Sequence, residues 1–114
     1  MKEVNVFLKI NDYIVETKGI IDNMVLSFND QDELKTKVTY DYNNNFLIRD
    51  NNEITITLYF EKDKNNLEYI LKSNNNKFFD NFTKISLHQN NKEVIINYRI
   101  GEIFYHMTLS YKED

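Results

Sequence analysis

Val94-Ile95-Ile96-Asn97-Tyr98-Arg99-Ile100, Gly101-Glu102, Ile103-Phe104-Tyr105-His106-Met107-Thr108-Leu109: this stretch decides the fold. Two apolar runs flank a two-residue turn whose first position is glycine, the pattern of a type II′ hairpin. That turn sets one register. Tyr98 faces Tyr105, Ile96 faces Met107 and Val94 faces Leu109, while the intervening pair Asn97 and His106 is polar. A slip of one residue opposes apolar to polar throughout, so the register is well specified. The two strands share one inward face carrying Val94, Ile96, Tyr98, Tyr105, Met107 and Leu109.

The same period of two runs back through the chain. Val4, Val6, Leu8 and Ile10 alternate with Asn5, Phe7 and Lys9. Asn11-Asp12 is a turn signal, and positions 13–21 read as a strand with Gly19 inside it. A glycine there marks a bulge, a bend or a close backbone approach. Further strands fall at 24–28, 35–42, 46–49, 54–60 and 67–71. Polar loops separate them, among them Asn29-Asp30-Gln31-Asp32, Asn43-Asn44-Asn45, positions 61–66 and Asn74-Asn75-Asn76. Ile85 and Leu87 belong to a strand. Phe78, Phe79 and Phe82 fit a strand, a helical turn or a lid, so the structure of residues 77–84 is open.

About eight to ten short strands at this spacing, with no long helix, predict an all-β fold. Sequential hairpins favour a single antiparallel up-and-down β-barrel over residues 1–114, because closure removes exposed edges. A chain of 114 residues makes one domain. Hydrophobic residues are 41% of it, enough to bury a core without staples.

Composition removes many functions. There is no cysteine, so disulfides, thiol nucleophiles and zinc ribbons are excluded. Alanine, proline and tryptophan are also missing. Two arginines, Arg49 and Arg99, stand against twelve lysines. The abundance of asparagine, lysine, isoleucine, phenylalanine and tyrosine is explained by A/T-rich codons. A net charge of −4 argues against nucleic-acid binding. Lys35, Lys37 and Lys84 lie among Tyr40, Tyr42 and Phe82, but lysines on outward strand positions guard edges more often than they hold bases. No run of 18 apolar residues suggests a membrane span. The alternating start, Met1 to Val6, lacks a signal-peptide core. A cytoplasmic location is expected.

The pattern resembles the YwiB-like family of uncharacterised bacterial proteins with a calycin-type, lipocalin-like β-barrel. Glu16-Thr17-Lys18-Gly19 is similar to the family's acidic strand ending in glycine. The 24–28 strand with its acidic loop, the basic and threonine-rich Lys35-Thr36-Lys37-Val38, and the C-terminal hairpin from Val94 to Ser110 match in the same way. The resemblance implies the barrel fold. It brings no activity and no catalytic residue.

Nothing else in the chain carries a reaction. His88 and His106 have no metal-ligand spacing. Ser27, Ser73, Ser86 and Ser110 lack a nucleophile-elbow context. No glycine-rich phosphate loop exists. Asp30, Asp32 and Glu33 lack the offsets and glycine of a calcium loop, which points to a solvated loop. The expectation is a protein that is not an enzyme and holds no metal or cofactor.

Sixteen phenylalanine and tyrosine rings remain to be placed. They either fill the barrel or line a cavity for a small apolar ligand. In the second case the expected lining is Tyr40, Leu58, Tyr69, Ile96, Tyr98, Tyr105 and Met107. Two functions stand: a binding module with a small apolar ligand inside, or a protein–protein adaptor using an exposed strand edge or a tyrosine-rich face. The oligomeric state is open.

Overall fold

A computed structural model describes residues 1–113. The chain alternates strand and turn throughout: β1 (Lys2–Ile10), β2 (Tyr13–Asp22), β3 (Val25–Asn29), β4 (Lys37–Asp41), β5 (Phe46–Asp50), β6 (Ile54–Tyr59), β7 (Leu67–Leu71), β8 (Asn76–Asp80), β9 (Thr83–Gln89), β10 (Glu93–Ile100) and β11 (Ile103–Glu113). Strands adjacent in sequence pair antiparallel, except β8 with β9, and β1 also pairs with β11. The result is one up-and-down sheet curled into a half-barrel. The ladder is open at one place, between β8 and β9.

Eleven strands exceed the eight to ten expected from the sequence. The difference lies around residues 77–84. Residues 76–89 form two strands separated by Asn81 and Phe82, with no helical turn or lid. The barrel therefore keeps two edges instead of closing. All five residues of β8 are exposed, so its alternation has no core face to mark.

The C-terminal hairpin takes the expected register, with Tyr98 opposite Tyr105, Ile96 opposite Met107 and Val94 opposite Leu109. Gly101 supplies a φ of +59° at the first turn position. Ile96, Met107, Val94 and Leu109 are fully buried. With Val4, Leu8, Val15, Leu26, Val38, Tyr40 and Phe60 they make the core, which the strands fill from their inward positions.

Asparagine has a structural use here beyond codon bias. Asn11, Asn23, Asn45, Asn65 and Asn75 all lie outside the strands at positive φ, between 50° and 55°. Asparagine tolerates this left-handed region better than other residues with a Cβ. Asn23 is followed by Met24 at φ 66°, so the two central residues between Asp22 and Val25 make a type I′ turn. Met24 thus belongs to the turn, and β3 begins one residue later than the alternation indicates. Lys35 is also at positive φ, and β4 begins at Lys37.

Gly19 is explained by close approach. A Cβ there would lie 2.7 Å from the Ser27 carbonyl oxygen and 2.7 Å from Val6 Cγ2. The oxygen is main chain and has little room to move. Gly19→Ala is expected to destabilise the fold by about 1–3 kcal/mol, the range for overpacking. Urea unfolding measures it; an unchanged midpoint would show that the β1–β2–β3 contact relaxes freely.

Side chains bridge the opening that the ladder leaves. The buried Asn66 amide donates to the Phe82 carbonyl at 2.9 Å and accepts from the Phe82 amide at 2.8 Å. Lys84 Nζ donates to the Phe60 carbonyl at 2.9 Å. Gln89 accepts from the Tyr40 hydroxyl at 2.9 Å and donates to the Tyr42 carbonyl at 2.7 Å. Phe60, Phe82 and Tyr98 meet edge to face, with ring centroids 5.4–5.9 Å apart.

Candidate functional site

The inward faces of several strands do not meet at one end of the half-barrel. There they surround a concavity of about 500 Å³. Its walls are Ile10 of β1, Ile56 and Leu58 of β6, Leu67 and Tyr69 of β7, Tyr98 and Ile100 of β10, and Tyr105 of β11. Tyr98 and Tyr105 are stacked, 5.1 Å between centroids at 14°. Tyr69 is stacked on Phe78 at 5.4 Å and 25°. Aromatic side chains therefore stand on two sides, with Tyr98 nearly buried and Tyr69 and Tyr105 half-buried.

A polar corner completes the lining through Asn11, Tyr13 and Arg49. Behind it lies Asp30, whose side chain has no solvent exposure. Its carboxylate accepts from Arg49 Nη2 at 2.6 Å, from the Tyr13 hydroxyl at 2.5 Å and from the Gln31 amide at 2.8 Å. The expectation of a solvated acidic loop at 30–33 is thus corrected for Asp30. Asp30 extends the inward face of Leu26 and Phe28, and its burial is sustained by three charge-assisted hydrogen bonds. Asp32 acts within its own loop, where it accepts from the Thr36 amide at 2.8 Å and from the Thr36 hydroxyl at 2.5 Å. Those bonds hold its carboxyl below the usual range. Glu33 is exposed.

Of the lining expected from sequence, Leu58, Tyr69, Tyr98 and Tyr105 come together on this concavity. Tyr40, Ile96 and Met107 do not; each is completely buried in the core and offers no surface to a ligand. They share the inward face and are enclosed within the core cluster. Sequence reasoning misses Arg49, Tyr13 and Asp30. A signal exists for two of them: Arg49 stands two residues after Leu47 and Asp30 two after Phe28, so both fall on core-facing positions. His88 and His106 are both exposed, and His106 Nδ1 sits 2.5 Å from Asn97 Oδ1.

Two larger depressions, of about 630 and 660 Å³, lie around Lys18, along β2–β3 and β1–β11. Neither sets a buried ion pair against stacked rings. No helix among the described residues is long and apolar enough to cross a membrane. No protein-family model, curated protein or solved structure matches the chain.

The polar corner has a pH signature. Tyr13 is pushed up to about 12, first by its hydrogen bond to the Asp30 carboxylate, which a phenolate could not donate. Tyr98 is also pushed up to about 12, chiefly by burial. Both folded values exceed the ordinary 10.0. Their contribution to stability is therefore whole below the unfolded value and is lost as pH rises from 10 towards 12. The urea midpoint should fall across that window, and Tyr13→Phe should make the fall shallower. A midpoint independent of pH there would refute the link.

Proposed function

We propose that this protein is a non-enzymatic binding module that takes a small, mostly apolar molecule into the concavity between β1, β6, β7, β10 and β11. The observation that carries this reading is the lining itself: stacked tyrosines and aliphatic side chains converge around one fixed polar corner. A space of about 500 Å³ is within the usual scale of ligand sites, which are mostly apolar with a few placed polar groups. A calycin-type barrel is the class this reading fits, and the up-and-down order with its C-terminal hairpin supports it. The cysteine-free composition suits a cytoplasmic bacterial setting.

A neutral fluorescent probe such as aminoanthracene tests it. The probe is expected to bind and brighten with the native protein. Ile100→Trp, which fills the rim, should abolish binding, while Ile95→Trp on the outer face should not. Equal binding by both variants would place the probe elsewhere and remove the reading.

One observation favours a second reading, a protein–protein adaptor. The outer edge of β8 is unpaired, and Phe78 and Phe79 are 40% and 52% exposed. Such an edge recruits an added strand. Sedimentation at increasing concentration would reveal self-association, and Phe79→Lys should suppress it. A monomer at all concentrations counts against a second copy of the chain as that partner.

A further inference from the structure

We propose that the concavity selects an uncharged, flat molecule, whose carbonyl oxygen accepts from the Arg49 guanidinium while its ring system lies on the Tyr98–Tyr105 wall. This rests on the binding-module reading above and names the ligand class that the same site takes.

The guanidinium is both fixed and under-used. It carries five N–H donors. Its hydrogen bond to Asp30 engages Nη2, and it has no other protein acceptor among the described residues. The side chain keeps 26% exposure and lines the concavity, which leaves its remaining donors for an acceptor that enters there. Asp30 is in turn held by Tyr13 and the Gln31 amide, which sets the direction of the fork. An acceptor meeting it encounters a donor already in place.

Charge then separates the ligand classes. An arginine in an apolar pocket ordinarily suggests a carboxylate. Here the positive charge is already matched by a carboxylate without solvent exposure. An incoming anion would shed its hydration and meet a pair of zero net charge, with attraction to Arg49 offset by repulsion from Asp30. The protein as a whole, at −4, adds to that repulsion. A cation would meet Arg49 at the rim, with Asp30 shielded behind it. A carbonyl, amide or lactone oxygen gains the hydrogen bond without the desolvation of a full charge. Tyr105, half-buried and stacked on the nearly buried Tyr98, is the ring of that wall on which the ligand's ring system would rest. Arg49 and the two rings line the same concavity, so one ligand can meet both.

Three matched probes test this at neutral pH by titration calorimetry: naphthamide, ionised naphthoate and methylnaphthalene. The amide is expected to bind at least about tenfold more tightly than the carboxylate and than the hydrocarbon. Ile100→Trp should remove binding of all three. Asp30→Asn leaves the Arg49 charge unmatched and should narrow the gap between amide and carboxylate. Naphthoate binding as tightly as the amide in the native protein would overturn the inference and leave the binding module standing. An amide no better than the hydrocarbon would do the same. If none of the three binds, or if Ile100→Trp changes nothing, the binding-module reading fails together with it.

Discussion

Replacing Arg49 with methionine is expected to lower the free energy of unfolding by about 3–5 kcal/mol, the cost of leaving one member of a buried ion pair alone. Methionine approximates the arginine stem and keeps its packing. What it removes is the partner of Asp30, whose side chain is wholly inaccessible to solvent. Two donors remain to that carboxylate, the Tyr13 hydroxyl and the Gln31 amide, and neither carries a charge. The effect should be asymmetric. Asp30→Asn strands a guanidinium that keeps 26% exposure and can turn to water, so it should cost less. Asp30→Asn combined with Arg49→Met leaves no charge behind and should recover most of the loss, a coupling that a double-mutant cycle in urea would read. Additive losses, or an Arg49→Met variant within about 0.5 kcal/mol of the native protein, would mean that water reaches Asp30 and that the corner is not a fixed element of the site.

The same corner shows where sequence reading stops. Asp30 lies 17 residues from Tyr13 and 19 from Arg49 along the chain. A lone polar residue at the end of an alternating run looks like the end of the strand. The meaning of these three appears only when β2, the β3–β4 loop and β5 are brought side by side. Alternation reports which face a residue occupies, not its level along the barrel. That is why Tyr40, Ile96 and Met107 are indistinguishable in sequence from Tyr69, Tyr98 and Tyr105. The first three are sealed in the core with no exposure, whereas the nearly buried Tyr98 and the half-buried Tyr69 and Tyr105 reach the concavity.

Strand order was legible for a related reason. Two-residue turns leave a strand no choice of neighbour, and the paired apolar faces fix its register. The reading weakens where burial does not alternate. In β8, Phe78 and Phe79 are adjacent, point to opposite faces and are both exposed. Phe82 is buried because the chain crosses there from β8 to β9, held by Asn66. No period of two records that. Met24 at positive φ is invisible for another reason: methionine is not a residue that announces a turn.

Truncating Ile96 to alanine is expected to cost about 2–5 kcal/mol, as large-to-small changes in a packed core do. Ile96 is completely buried and lies between Met107 of β11 and Leu87 of β9. Three strands therefore border the cavity that the change would open. Lys92→Ala, at the exposed turn preceding β10, should stay within about 0.5 kcal/mol and serves as the control. The loss at Ile96 should also be local in character. β9 is an edge strand, hydrogen-bonded in the sheet only to β10, and its register already shifts between Asn97 and Tyr98. Across the opening, the Lys84 and Gln89 side chains tie it to Phe60, Tyr40 and Tyr42. Amide hydrogen exchange should then quicken in β9 before β1 or β2, because the weakened wall of β10 is the one that anchors it. Uniform exchange across the sheet would show a single cooperative unit, and a loss below about 1 kcal/mol would show that Met107 and Leu87 close over the space.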